Sequence, residues 1–355
     1  MSTRRSVLVA TLAALSAFAL SPAQAQTKTD FKVAWSIYVG WMPWGYAADH
    51  GIVQKWADRY GITIEVTQFN DYVESINQYT VGAYDAVTLT NMDGLSIPAE
   101  GGVDTTAVIV GDFSAGNDAV ILKDSDNLAD IAGRNVNLVE FSVSHYLLAR
   151  ALESVGLSER DLKVVNTADP DMVGAFQTPD VTAMVTWNPM VSEILALPGA
   201  NNVFDSSDIP GEIIDLMVAN TAVLADNPDF GKALAGIWYE TAALLTADTT
   251  EGAAARAAMG AASGTDQAGY EAQLTATRLF DQPEDAVAFV TSPALETTMD
   301  HVRTFLFDKG LLGAGGSSPD AVGIEFPGGA VMGDAGNVAF RFTDTYMKLA
   351  ADGAL

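Results

Sequence analysis

From residue 31 to residue 110, short apolar strands alternate with segments of helical spacing, and this alternation restricts the possible fold more than any other feature of the sequence. The predicted strands cover residues 31–34, 62–68, 82–90 and 105–110. The predicted helices between them cover residues 44–60, 72–81 and 94–100. This order is typical of a parallel sheet whose faces are covered by helices. The sequence therefore predicts an α/β fold.

A second α/β unit is predicted after residue 118. Its strands cover residues 119–122, 135–139, 163–166 and 181–186, and its helices cover 144–155, 171–176 and 188–195. A strand at 213–218 could run back to the first unit. Further helices are predicted at 229–247, 251–260, 266–277, 283–290, 293–309 and 337–350, with a Gly/Ser/Pro-rich loop at 311–319. We therefore expect a discontinuous first lobe (26–118 and 219–355), a second lobe (119–218), and a ligand cleft that closes by hinge motion.

The loop that follows the first predicted strand, residues 35–46, is rich in aromatic side chains and carries no charge. Three tryptophans and two tyrosines lie within it: Trp35, Tyr38, Trp41, Trp44 and Tyr46. So many rings are costly to leave in water, so they must pack against a core, a partner or a ligand. Since α/β proteins bind ligands at the ends of their strands, we favour a ligand contact and keep core packing as the alternative.

The first 25 residues have the pattern of a secretory signal peptide. Arg4 and Arg5 precede an apolar stretch at 7–20, and the small-residue motif that ends at Ala25 is a cleavage site. The route could be general or twin-arginine export. The absence of cysteine excludes disulfides and an N-terminal lipid anchor. We therefore expect an exported, periplasmic protein that is not a lipoprotein.

The chain is strongly acidic, with a formal net charge of -27. Nucleic acids and anionic lipids require a basic face, so this charge argues against both as partners. A cationic ligand would suit the charge, although carboxylates on solvated faces explain most of it.

Several segments resemble the periplasmic binding proteins of the nitrate/sulfonate/taurine group of ABC importers. The resemblance lies in A-A-D-H-G-I-V-Q-K-W, Y-T-V-G-A-Y-D-A-V-T-L-T-N, L-A-D-I-A-G-R-N-V-N-L and V-T-A-M-V-T-W-N-P, and it covers roughly residues 31–225. The wording W-S-I-Y-V-G-W-M-P-W is most similar to the branch associated with urea carboxylase gene regions, whose ligands are urea or guanidine. The resemblance implies a type II periplasmic binding protein fold, a small-molecule ligand and an ABC permease in the inner membrane as partner.

Five loops are expected at the carboxyl ends of the strands, and none of them contains lysine or arginine. They cover residues 35–46, 68–80, 88–100, 140–149 and 186–194. Aromatic faces together with carboxylates suit a compact planar cation. We therefore predict guanidinium as the preferred ligand and urea as the next. A sulfonate, nitrate or thiamine-precursor-like ligand is the alternative, because helix N-termini can bind an anion without basic side chains.

The candidate ligand-binding residues each have a structural alternative. They are Trp35, Tyr38, Trp41, Trp44, Asp71, Asn91, Asp93, Glu140, Ser142, His145, Tyr146, Trp187 and Asp215. Asp93 and Glu140 follow strands and are the preferred carboxylates, whereas Asp71, Asn91 and Ser142 could equally be helix caps. His145 and Tyr146 could face either the cleft or the surface, and Asp215 could reach the cleft from the returning strand.

The sequence contains no convincing catalytic or metal-binding set. There are three histidines, His50, His145 and His301, which are far apart in sequence, and no recognised hydrolase, metalloprotease or P-loop motif is present. We therefore predict a monomeric binding protein without cofactor or metal. An exported enzyme or a chemosensory module of the same fold is the alternative.

Overall fold

Two β-sheets organise the chain in a computed structural model that describes residues 27–312 and 318–355. The predicted signal peptide and part of the predicted 311–319 loop lie outside these residues. The strands are β1 (Asp30–Ser36), β2 (Thr63–Phe69), β3 (Ala86–Thr90), β4 (Thr105–Ser114), β5 (Asp118–Lys123), β6 (Asn135–Leu138), β7 (Lys163–Asn166), β8 (Ala183–Trp187), β9 (Ala200–Asp205), β10 (Ile214–Asn220), β11 (Thr277–Leu279), β12 (Gly323–Glu325), β13 (Val331–Met332) and β14 (Val338–Phe342).

Helices cover both sheets and form most of the C-terminal third. They are α1 (Met42–Asp49), α2 (Ile52–Tyr60), α3 (Tyr72–Thr80), α4 (Asn91–Gly94), α5 (Val143–Ser154), α6 (Met172–Phe176), α7 (Met190–Leu195), α8 (Thr221–Asp226), α9 (Pro228–Thr246), α10 (Thr250–Ala262), α11 (Gln267–Thr275), α12 (Pro283–Val290), α13 (Pro293–Asp308) and α14 (Thr345–Ala351). None of these helices is long and apolar enough to cross a membrane.

The first sheet has the order β13-β12-β14-β4-β10-β3-β1-β2, with β11 paired to β4. β1 pairs in parallel with β2 and β3, as the alternating pattern predicts. All five residues of β3 are buried, as expected for a strand covered on both faces. β10 lies antiparallel between β3 and β4. Its first residues therefore lie beside the ends of β3 and β4.

The second sheet has the order β7-β6-β8-β5-β9. Two chain crossings, at residues 114–118 and 206–213, connect it to the first sheet. Ser206 holds these crossings together, because its Oγ lies 2.6 Å from the Oγ of Ser114 and accepts a 2.7 Å hydrogen bond from the backbone N–H of Gly116. Since β10 belongs to the first sheet, placing residues 214–218 in the second lobe was wrong.

Three helix predictions differ from the structure. The predicted 44–60 helix is two helices, because Gly51 adopts φ 76° between α1 and α2. The segment after α4, Leu95–Ala99, is a π-helix. The predicted 337–350 helix is wrong in its first half, where Val338–Phe342 forms β14 and pairs with β4. Phe340 and Phe342 alternate with Arg341 in the two-residue period of a strand, and both rings are buried.

Candidate functional site

A small cavity lies where the two sheets face each other. The space open to the centre of a water-sized probe is ≈ 10 Å³, about the room that one water molecule needs. Its lining comes from both lobes and consists of Tyr38, Trp41, Tyr72, Thr90, Asp118, Val143, Trp187, Ile213 and Asp215. The lobes must therefore move apart to admit a ligand, and the small space between them favours one with few non-hydrogen atoms.

Asp215 lines the cavity from the first lobe. It lies near the start of β10, which runs antiparallel between β3 and β4. In the strand register Asp215 lies opposite Thr90 on one side and opposite Asp112 on the other. Asp112 is fully buried and Asp215 is 3% exposed. The sheet thus brings two carboxyl groups together away from water.

The proximity of these two carboxyl groups disfavours the ionised form of both. Burial raises the pKa of Asp112, and burial together with the neighbouring Asp112 raises the pKa of Asp215 well above its ordinary value. Tyr38 donates a 3.3 Å hydrogen bond from its hydroxyl to Oδ1 of Asp112. The Oδ2 atoms of both carboxyl groups have no hydrogen-bond partner within the described chain. Ionisation of both groups would place two like charges side by side away from water, which is unfavourable.

Asp93 lies directly behind the cavity wall and is fully buried. Its Oδ2 accepts hydrogen bonds from the Tyr72 hydroxyl (2.7 Å), the Thr90 hydroxyl (2.9 Å) and the Val143 backbone N–H (3.3 Å). Burial raises its pKa to about 6, against the opposing effect of these donors. Because Val143 belongs to the second lobe, Asp93 contributes directly to the contact between the lobes.

Asp118 is the carboxyl group that the second lobe places at the cavity. It begins β5 and lies opposite Trp187, the last residue of β8. Burial raises its pKa to about 7, the Ser114 hydrogen bond lowers it, and the nearby Asp93 raises it further. Each lobe therefore places one carboxyl group at the cavity, Asp215 from the first lobe and Asp118 from the second.

Four aromatic rings form a continuous wall across the cavity. The ring centroids are 5.1 Å apart for Tyr38 and Trp41, 5.5 Å for Trp41 and Tyr72, and 5.6 Å for Tyr72 and Trp187. The last pair joins the two lobes. The Trp41 indole Nε1 is buried without a hydrogen-bond partner among the described residues.

Among the residues that the structure describes, no lysine, arginine or histidine lines the cavity. Aromatic faces attract cations, and carboxylates accept hydrogen bonds from planar N–H donors. The arrangement can therefore hold a small cation or a planar N–H donor, whereas an anion would meet like charge.

Four of the predicted residues line the cavity, namely Tyr38, Trp41, Trp187 and Asp215, and Asp93 lies behind it. Sequence reasoning missed Tyr72, Thr90, Asp112, Asp118, Val143 and Ile213. A usable signal existed for the two aspartates, since Asp112 and Asp118 flank the predicted crossing near residue 117.

Five predicted residues pack in the core, cap helices or bind backbone groups. The Trp35 ring packs so closely on Gly45 that a Cβ there would lie 2.5 Å from it, and Trp44 stacks on Trp238 at 6.1 Å in the core. Asp71 and Ser142 cap α3 and α5 by accepting bonds from the N–H groups of Glu74 and Ser144. The Asn91 side chain binds the backbone of Glu212 and Ile214.

The remaining three predicted residues lie at or near a separate groove between α5 and α13, which we call the outer groove. His145 Nε2 lies 2.7 Å from Glu159 Oε1, and the Tyr146 hydroxyl donates a 2.5 Å hydrogen bond to Glu212. Glu140 does not line the cavity, and its backbone N–H binds the Asn166 side chain. Burial lowers the pKa of His145 to about 4, and the neighbouring Lys309 lowers it further.

No group of three or more histidine or acidic side chains with metal-binding geometry occurs within residues 27–312 and 318–355.

Comparison with known proteins finds one matching family and several similar binding proteins. The model of the NMT1-like family matches residues 33–261. A binding protein of Brucella abortus is 23% identical over 206 residues, which are 57% of this chain and 62% of that protein. The taurine-binding periplasmic protein of Escherichia coli is 22% identical over 184 residues, 50% of this chain and 56% of that protein. The chain thus spans less than two thirds of the length of these relatives.

Solved structures show the same fold. The alkanesulfonate-binding protein of Xanthomonas axonopodis, bound to MOPS, has a TM-score of 0.66 at 16% identity, over 81% of this chain and 96% of that chain. The aliphatic sulphonate binding protein of Escherichia coli has a TM-score of 0.65 at 18% identity, over 80% and 93%. The fold is therefore the two-lobed periplasmic binding protein fold, and the predicted fold class is confirmed.

Proposed function

The chain belongs to the NMT1-like family, and from that premise we propose that it is a periplasmic solute-binding protein that delivers guanidinium to an ABC permease. It acts as a carrier rather than an enzyme. One observation carries the choice of ligand: Asp118 and Asp215 face an aromatic cavity whose lining offers no basic side chain. This proposal agrees with the resemblance to the branch associated with urea carboxylase regions.

Capture proceeds by closure of the two lobes around the ligand. In the closed form the N–H donors of guanidinium meet Asp215 from the first lobe and Asp118 from the second, while its faces stack on Trp41 and Trp187. Contacts between the lobes support this form, since the backbone N–H of Tyr72 donates a 3.3 Å hydrogen bond to Asp169 across the cleft. Bending at the two crossings opens it.

Urea is the second candidate, and the Trp41 indole is the observation that favours it. This N–H group is buried and unpaired in the described chain. A carbonyl oxygen could accept its hydrogen bond, and urea has such an acceptor whereas guanidinium has none. The sulfonates named for the relatives fit less well, because the buried carboxyl groups would repel them.

Calorimetric titration with guanidinium, urea, taurine and nitrate tests the proposal. We expect guanidinium to bind most tightly, urea more weakly, and the two anionic-group ligands not at all. Tetramethylammonium is a useful control, because it carries the charge without N–H donors and should bind weakly. Micromolar binding of taurine or nitrate, with no heat from guanidinium, would contradict the proposal.

A further inference from the structure

We infer that capture of the cation expels one proton from the Asp112–Asp215 pair, so that Asp112, which does not line the cavity, sets the charge of the site. This inference rests on the proposed function, because it needs a cationic ligand. It adds a specificity-determining residue to the site, and it makes uptake sensitive to pH.

The geometry leaves no other group to neutralise the pair. Asp112 and Asp215 are neighbours on adjacent antiparallel strands, and each has an Oδ2 atom without a partner in the described part of the chain. The backbone of Gly40 packs against the same place, since a Cβ on this residue would lie 2.3 Å from Asp112 Oδ2. There is accordingly no room for a second hydrogen-bond donor on that side.

The titratable groups that face the pair are all acidic or phenolic. The loop after β1 contributes Tyr38, β5 contributes Asp118, and α11 contributes Tyr270. The Tyr38 hydroxyl has a single proton, which it donates to Asp112, and the Tyr270 hydroxyl donates to the carbonyl of Val39. No described lysine, arginine or histidine contributes to the charge balance of the pair.

The exchange balances in charge. Before capture the pair holds one proton and one negative charge, because two ionised carboxylates in contact and buried repel each other strongly. As guanidinium enters, the O–H bond of the carboxyl group breaks and the proton passes to the buffer. The freed carboxylate then accepts an N–H hydrogen bond from the ligand, and the net charge of the site is unchanged. A neutral ligand such as urea leaves the proton in place.

The test is calorimetry of guanidinium binding near pH 8, where Asp118, with a pKa of about 7, is already ionised, in buffers of different ionisation enthalpy. We expect release of close to one proton per guanidinium, an affinity that rises by up to about tenfold per pH unit, and no release with urea. In Asp112→Asn the release disappears and the pH dependence flattens while guanidinium still binds. The exposed Asp126→Asn serves as the matched control and retains the release.

Infrared spectroscopy of the unaltered protein provides a second test that does not depend on the folding of a variant. The C=O stretching band of a protonated carboxyl group should be present without ligand and should disappear when guanidinium is added. Guanidinium binding without proton release, or release that persists in Asp112→Asn, would overturn this inference and leave the proposed function standing. Absence of guanidinium binding, with binding of taurine or nitrate, would instead overturn the proposed function.

Discussion

The cavity and the outer groove contain similar numbers of acidic side chains, but they differ in whether these side chains have cationic partners. In the outer groove Glu159 binds Lys309, and Glu212 accepts a 2.9 Å hydrogen bond from Arg150. In the cavity no cation among the described residues compensates Asp118 or Asp215. Paired charges stabilise a fold, whereas buried charges without a partner cost stability and persist where a ligand supplies the partner.

The two regions also differ in how they join the lobes. The outer groove connects the second lobe to Lys309, directly after α13, through Glu159, and to the 206–213 crossing through the ion pair of Arg150 with Glu212. The cavity connects the lobes through the Tyr72–Trp187 ring contact and the Asp93–Val143 hydrogen bond. The difference indicates which contacts respond to a ligand and which simply hold the chain together.

The largest effect is expected from Asp215→Asn in the cavity. This variant removes a ligand carboxylate, so guanidinium affinity should fall about 100-fold, or about 2.7 kcal/mol. Its free energy of unfolding at pH 8 should rise, because asparagine needs no proton to be accommodated beside Asp112. Calorimetry and chemical denaturation measure the two effects. Affinity within twofold of the unaltered protein would show that Asp215 does not bind the ligand.

A smaller loss of guanidinium affinity is expected when a ring of the aromatic wall is removed. Trp187→Leu removes the ring that stacks on the ligand, and guanidinium affinity should fall about tenfold, since a desolvated cation–π contact is worth ~0.5–2 kcal/mol. Trp187→Phe, which retains an aromatic face, should keep most of the affinity. If both variants bound equally weakly, the ring would act through the lobe contact rather than through the cation.

The two regions should also respond oppositely to pH in the absence of ligand. The folded-state pKa of Asp118 is raised to about 7 from 3.8, so its stabilisation is present below pH 4 and is lost as pH rises through 7. The folded-state pKa of His145 is lowered to about 4 from 6.5, so stability increases as pH rises from 4 to 6.5. Asp118→Asn should remove a fall of about 2 kcal/mol in unfolding free energy between pH 5 and 7.

His145→Gln, measured in the same denaturation series, should remove the rise in unfolding free energy between pH 4 and 6.5. Identical pH profiles for the two variants would contradict the distinction between the regions.

The smallest effect is expected from Glu159→Gln in the outer groove. The side chain is partly exposed and its ion pair with Lys309 is accordingly worth about 0.5 kcal/mol. The thermal midpoint should fall by one or two degrees, and guanidinium affinity should stay within twofold. A tenfold loss of affinity would show that the outer groove controls closure of the cavity.

Local sequence patterns predicted β1–β8, β10 and most helices, because two-residue and 3.6-residue periods reflect burial of one face. They did not predict β9, the short strands β11, β12 and β13, or β14, which pairs with β4. Asp215 was predicted to reach the cleft from a returning strand, and its side chain lines the cavity. Its partner Asp112 was not found, because the predicted strand ended at residue 110 and the pairing depends on residues about a hundred positions apart.

Glu140 shows that the position of a residue after a strand does not determine the direction of its side chain. It follows a second-lobe strand, as a cleft residue should, but the next residue, Phe141, adopts φ 66°. This left-handed conformation is unusual for a non-glycine residue. After this turn the backbone N–H of Val143, rather than the Glu140 carboxylate, meets Asp93. Side-chain chemistry was visible in the sequence, but its direction was not.

The ring contact between Tyr72 and Trp187 gives the protein an optical signal of its own. The two rings belong to different lobes, and Trp187 is nearly excluded from water when they touch. Opening of the lobes would hydrate the indole, shift its emission to longer wavelength and weaken energy transfer from the tyrosine. Five further tryptophans also emit, so the loss of the shift in Trp187→Phe would identify the part of the signal that reports lobe opening.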